Sequence, residues 1–167
     1  MIQIRQARLA DEDALARVDA VTWTADVSPT PPPPPGTSFF GPGTLPEDVF
    51  VAEHGAVIGY AKLTQAIPLA SHQHVLMLGG LAVDPDRQRA GAGRLLVEAI
   101  GQEARSRGAR KLSLRVLGPN TAARELYATC GFVTEGTLQG EFLLGGRYVD
   151  DILMARYLIA ESQRQPR

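Results

Sequence analysis

The segment from Ala82 to Leu96, AVDPDRQRAGAGRLL, restricts the possible folds more than any other part of this chain. Ahead of it an apolar run, VLMLGGLAV from Val75 to Val83, stops at Asp84-Pro85, where proline removes a ladder donor. From Gly93 onward Leu95, Leu96, Ala99, Ile100 and Ala104 share one helical face, with Arg94, Glu98, Gln102 and Arg105 opposite, and Gly108 ends the pattern. The predicted unit is a strand, a tight turn holding Gly91 and Gly93, and an amphipathic helix. Such a turn suits an anion. Glycine lets the backbone approach closely, the first helical N–H groups point outward, and the helix end carries about half a positive charge. Arg87 and Arg89 add mobile cations. No Gly-Lys-Ser/Thr follows, which excludes a Walker loop, and Leu96 stands where a dinucleotide-binding G-x-G-x-x-G needs its third glycine. The competing reading is a tight turn with no ligand.

Around this unit the chain alternates strands and helices. Ile2 and Ile4 predict a strand; Ala14, Leu15, Val18 and Val21 predict a helix after Asp11, running to about Trp23, itself expected in the core. VFVAEH and VIGYAKL around Gly55-Ala56 predict a hairpin, and Gly79-Gly80 inside a strand marks a bulge or a close approach. LSLRV (112–116) predicts a strand, Gly118-Pro119-Asn120 opens a short helix closed by Gly131, and FVTEGTL and YVDDILMARYL predict the last two strands. Residues 29–46 break the pattern: PTPPPPPGTSFFGPGTLP favours polyproline II and reads as a plain loop or as a lid carrying Phe39 and Phe40 over a pocket. The sum is a mixed α/β fold.

Size and charge narrow the function classes. The 167 residues, 44% of them hydrophobic, suit one domain over 1–167 with a flexible tail from about 159 to 167. Lys+Arg 17 against Asp+Glu 18 leaves a net charge of -1, so no global field favours nucleic acid or an anionic membrane. A single cysteine, Cys130, forms no internal disulfide or Cys-rich metal cluster, and no apolar stretch approaches the ~20 residues of a membrane span. A soluble, cytoplasmic protein with no metal is the expectation.

Two motifs sharpen the phosphate-binding reading. QRAGAG (88–93) resembles the Q/R-x-x-G-x-G/A signature of the GNAT acyltransferases, and NTAARELYATCGF (120–132) resembles their N-x-x-A-x-x-x-Y-x-x-x-G-F. Gly146 to Met154 is similar to the G-x-Y-x-D-x-x-x-M closing strand of many bacterial members. The resemblance spans about residues 2 to 157 and is poorest in the Pro-rich loop. It implies a mostly antiparallel mixed sheet of about seven strands, splayed between the fourth and fifth, flanked by about four helices, with acetyl-CoA as cosubstrate in the gap. It also implies that the backbone of Gln88, Arg89, Ala90, Gly91, Ala92 and Gly93, with Arg94, holds the pyrophosphate. Leu81, Ala82 and Val83 would pair with the pantetheine arm, Asn120 would lie near it, and Tyr127 would be the general acid. Asn120 is equally a good helix N-cap.

The expected reaction is acetyl transfer to a small-molecule primary amine by direct attack in a ternary complex, in a monomer or homodimer. For the proton acceptor the candidates are Glu53, His54, His72, His74 and Asp150, with Asp150 preferred because it occupies the Y-x-D position; a structural acceptor role competes. An acyl-cysteine at Cys130 is disfavoured at the end of an apolar helix. A sensor that binds acyl-CoA without turnover, or an enzyme acetylating protein N-termini, are the alternatives.

Overall fold

Proline and glycine punctuation divides the chain where the sequence predicts, and the computed structural model describes residues 1–164. The opening alternation forms β1 (Gln3–Gln6), and α1 (Glu12–Thr22) follows. The hairpin is β2 (Val49–Glu53) and β3 (Val57–Thr64), turning at Gly55 with φ +74°. Then come β4 (Val75–Val83), α2 (Ala92–Ser106), β5 (Lys111–Leu117) and α3 (Thr121–Thr129). The chain closes on β6 (Val133–Leu144) and β7 (Arg147–Tyr157), a hairpin longer than FVTEGTL alone predicts. The described residues hold three α-helices and short 3-10 turns, against about four helices expected, because the Pro-rich loop occupies the chain between α1 and β2.

The seven strands form one sheet in the order β1-β2-β3-β4-β5-β7-β6. Every neighbour is antiparallel except β4 and β5. α2 and α3 cover one face, where Leu96, Ile100, Leu112, Leu114, Ile152 and Met154 form the larger core. α1 covers the other face over β3 and β4, and its Leu15 and Val18 join Val49, Val51 and Tyr60 in the smaller core. Each fully buried leucine there stabilises the fold by roughly 1.5–3 kcal/mol.

The Pro-rich loop is tied to the rest of the fold by side chains. The Trp23 indole donates to the Thr30 carbonyl at 3.0 Å, so this tryptophan is half-buried at the loop's root rather than in the core. Glu12 accepts from the N–H groups of both Phe39 and Phe40, at 2.5 and 3.0 Å. Phe39 then packs edge-on against the Tyr60 ring, 4.8 Å between centroids. Of the tail, Glu161–Gln163 forms a 3-10 turn and Arg164 lies over the Tyr157 ring at 4.1 Å; the rest of the expected flexible stretch, 165–167, lies outside the described residues.

Candidate active site

The parallel junction of β4 and β5 is paired over three residues only: Val75 with Lys111, Leu76 with Leu112, and Met77 with Ser113. Past Met77 the β5 side of β4 has no strand partner, while its other side keeps pairing with β3 as far as Val83. Leu81, Ala82 and Val83 therefore border a gap in the middle of the sheet, half-buried rather than sealed. A row of backbone groups without a partner strand is a template for any extended chain bearing amides. At the start of the gap β4 bulges. Lys62 faces Gly80 and Leu63 faces Leu78, leaving Gly79 unpaired. A Cβ on Gly79 would sit 2.7 Å from Thr64 Cγ2, so the close approach expected of Gly79-Gly80 is to β3.

Below the gap the turn before α2 presents main-chain donors. Arg89, at φ +68°, and Gly91, at φ +86°, both adopt left-handed backbone, and Gly91 caps α2. For Arg89 that conformation costs roughly 1–2 kcal/mol, a strain of the kind concentrated at functional loops. The N–H groups of Arg89, Ala90, Gly91, Ala92, Gly93 and Arg94 donate to no other described residue. The Gln88 N–H differs: it reaches the Pro85 carbonyl at 3.4 Å, and its side chain donates to the Val83 carbonyl at 3.3 Å. Gly93 has a second reason to be glycine, since a Cβ there would lie 3.1 Å from Leu126 Cδ2 of α3. Donors fanned around a helix N-terminus, with Arg89 and Arg94 exposed beside them, match a diphosphate in charge and shape.

On α3, Asn120 Oδ1 accepts from the Ala123 N–H at 3.2 Å, the N-cap that the Gly-Pro-Asn sequence allows. Tyr127 lies two turns along. It is 8% exposed, its ring centroid 5.8 Å from that of Phe132. Its hydroxyl bonds to no other described residue, yet no side-chain polar atom of the described residues is both sealed and unpartnered, so that oxygen keeps an opening. Burial pushes the phenol up to about 12, with Cys130 adding to it, so Tyr127 holds its proton at neutral pH. Cys130 is buried and burial pushes its thiol up as well, away from the reactive thiolate. Asp150 is half-buried and Oδ1 accepts from the Gly140 N–H at 2.9 Å, where β6 bulges between Leu138 and Phe142.

The remaining proton-acceptor candidates lie elsewhere. Glu53 pairs with Arg5 at the β1 edge, and His54 is exposed in the β2–β3 turn. His72 and His74 precede β4, at the end where β4 and β5 are paired, with ring centroids 6.3 Å apart. No three His, Cys, Asp or Glu side chains among the described residues converge as a metal group would.

Residues 17–132 match the model of the acetyltransferase (GNAT) family. The chain belongs to that family. It is 33% identical over 118 residues to phosphinothricin N-acetyltransferase of Alcaligenes faecalis, covering 70% of this chain and 59% of that protein. It is 40% identical over 79 residues to the ribosomal protein bS18-alanine N-acetyltransferase of Salmonella typhimurium, covering 47% and 53%. The chain thus spans less than two thirds of the length of these relatives. Among solved structures, smu.2055 of Streptococcus mutans UA159 superimposes with TM-score 0.83 at 29% identity, covering 94% of this chain and 99% of that one. The acetyltransferase yncA of Salmonella typhimurium, solved with acetyl-CoA, superimposes with TM-score 0.80 at 22% identity, covering 99% and 98%.

This GNAT chain also carries polar groups that the motifs do not announce, on the face that α1 covers. Tyr60 donates to Asp19 of α1 at 2.5 Å, and burial pushes its phenol above the ordinary range. Lys62 is half-buried, its Nζ 2.5 Å from Thr44 Oγ1, and burial lowers its pKa despite Asp48 and Asp19. On β7, Asp151 is only 2% exposed, and Arg115 Nε donates to its Oδ2 at 2.6 Å. The available signal was a lone charge inside each apolar strand, Lys62 in VIGYAKL and Arg115 in LSLRV. No helix among the described residues is long and apolar enough to cross a membrane.

Proposed function

We propose that this chain moves the acetyl group of acetyl-CoA to a primary amine of a small molecule, by direct attack in a ternary complex. The observation that carries this reading is the β4–β5 ladder ending after three pairs, directly above a turn whose main-chain donors are free. These residues fit the cosubstrate: an amide-bearing arm fits a strand lacking one neighbour, and a diphosphate fits the donors of Arg89–Arg94. When bound, acetyl-CoA supplies an electrophilic thioester carbonyl and a thiolate leaving group.

The chain's own residues then divide the work. Leu81, Ala82 and Val83 hold the pantetheine arm, and one of their N–H groups polarises the thioester oxygen, as preorganised donors do where charge develops. The Gly91 turn takes the diphosphate, with Arg89 and Arg94 neutralising it. Tyr127 protonates the leaving thiolate; burial keeps it in the phenol form at neutral pH, so the proton is in place when the thiolate leaves. Asn120 caps α3 and so aims Tyr127, and Asp150, which accepts from the Gly140 N–H at the β6 bulge, takes the proton that the attacking amine loses. The identity shared with a ribosomal-protein N-acetyltransferase favours a second reading, acetylation of a protein N-terminal amine.

Calorimetry with acetyl-CoA and coenzyme A, followed by thiol release against amine and N-terminal peptide panels, tests these readings. Binding heat with release driven by small amines is expected. Release driven only by peptides selects the second reading, and heat without any amine-dependent release leaves a sensor. No heat with either nucleotide sinks all three.

A further inference from the structure

The loop between α1 and β2 holds a motif that the acetyl-transfer chemistry leaves unused, the run Pro31 to Pro35. Proline fixes its own φ at about −65° and pushes the residue before it into extended backbone. Thr30 and Pro31 to Pro34 each precede a proline, so covalent geometry alone favours a polyproline II helix here. At about 3.1 Å per residue the five prolines make a rod roughly 15 Å long. Both ends of the rod are anchored. The Trp23 indole donates to the Thr30 carbonyl at 3.0 Å. The Pro34 carbonyl accepts from the Thr37 N–H at 3.1 Å and from the Thr37 hydroxyl at 2.7 Å. Beyond that turn Glu12 of α1 holds the N–H groups of Phe39 and Phe40.

A helix with three residues per turn has three ridges. One passes through Thr30, Pro33 and Gly36, and Pro33 is the half-buried proline of the run. The other two pair Pro31 with Pro34 and Pro32 with Pro35, and all four of these prolines are exposed. Each outward ridge is therefore a P-x-x-P pair. The carbonyls of Pro31, Pro32, Pro33 and Pro35 accept from no described residue, which leaves them open to an outside donor. From Thr24 to Pro46 the only charged residue is Asp26, so the rod offers rings and carbonyls with almost no charge. Rings and open carbonyls on a preformed rod are what aromatic-lined grooves recognise.

We propose that Pro31 to Pro35 is a docking site for a partner protein with an uncharged groove lined by aromatic side chains, whose polar tips donate to the open carbonyls. The groove seats on the two exposed ridges while the Pro33 ridge stays against the body of the chain. A free peptide of the same residues loses conformations on binding; the anchored rod has already lost them. With no charge on the rod, the contact is insensitive to salt. Docking concerns how the chain is recruited and holds whatever acceptor it uses.

The test is calorimetry of the full chain with an isolated WW domain of the class that binds uninterrupted proline runs. Two controls accompany it: a peptide of residues 28–37, and the same WW domain with its groove tryptophan replaced by alanine. The full chain is expected to bind the intact domain about 3-fold or more tighter than the peptide does, and not to bind the alanine form. P31A/P34A and P32A/P35A are each expected to weaken binding about 10-fold or more, and P33A about 3-fold or less. Trp23→Phe, which removes the donor to Thr30, is expected to bring the affinity down to that of the peptide. Raising salt from about 0.05 M to about 0.5 M should change the affinity by less than about 2-fold. Urea midpoints near that of wild type show that each variant is folded. No heat with the WW domain, equal affinity for chain and peptide, or equal losses in P33A and the two pair variants would overturn the proposal. So would self-association, followed by light scattering, that vanishes in P31A/P34A, since a second copy would then occupy the rod.

Discussion

The two ends of the β4–β5 junction are built from the same two strands and behave oppositely. At the first end Val75, Leu76 and Met77 pair with β5, and Leu112 beneath them is fully buried. At the other end the ladder is absent, Gly79 and Arg115 are exposed, and Gly80, Leu81, Ala82 and Val83 are half-buried. The paired end gains backbone hydrogen bonds and apolar burial together. The open end forgoes the ladder on one side, and β3 and the bulge hold β4 in place there. Stability is concentrated where the strands close, and the proposed cosubstrate site lies where they part, a division found when functional segments draw on the less stable portions of a fold.

The sharpest way to break this comparison is at the paired end. Leu112→Ala is expected to destabilise the fold by about 2–5 kcal/mol in urea denaturation, with acetyl-CoA affinity retained by the molecules that remain folded. At the open end the largest effect should fall on turnover. Tyr127→Phe is expected to lower kcat about 100-fold while calorimetric affinity for acetyl-CoA stays nearly constant. Equal turnover in thiol release would remove Tyr127 from the mechanism.

Gly79→Ala sharpens the boundary between the two ends. Its new methyl would press on Thr64, so a stability loss of about 1–3 kcal/mol is expected, partly restored by Thr64→Ala in the double variant. The smallest effect is a control away from the junction. Asp11 accepts from both Arg5 terminal nitrogens at 2.8 Å and from the Arg8 N–H at 2.8 Å, and Arg5 holds its carboxyl below the ordinary carboxylate range. A depressed carboxyl favours the folded state at pH values above its unfolded pKa, and that contribution fades as pH falls through the lower folded value. Urea midpoints followed from pH 5 to pH 2 should therefore decline less in Asp11→Asn than in wild type, by on the order of 1 kcal/mol.

How far the residues could be read in advance depended on whether their meaning was local. The strand-turn-helix unit before α2 was legible because Gly91 needs a left-handed backbone at a helix cap, a requirement decided within one turn. Asn120 as N-cap was legible for the same reason. Gly93 was legible as a glycine but not for its packing reason, because the contact that forbids a side chain comes from Leu126 of another helix. The histidines looked eligible as proton acceptors from composition alone, and topology separated them from the gap. Asp151 and Arg115 carried almost no signal. Only the antiparallel register of β5 with β7 brings an aspartate 36 residues downstream under that arginine.

By itself the sequence determined the order of elements, the strand-turn-helix unit around Gly91, and Asn120 as the cap of the helix that carries Tyr127. Each rests on proline, glycine or a periodicity that acts over a few residues. Tertiary structure alone decided where the β4–β5 ladder stops, that the Gly140 N–H donates to Asp150 at the β6 bulge, and that Asp151 is buried against Arg115. Those outcomes depend on register and on which face of each strand is covered, and register is set by contacts between segments far apart in the chain.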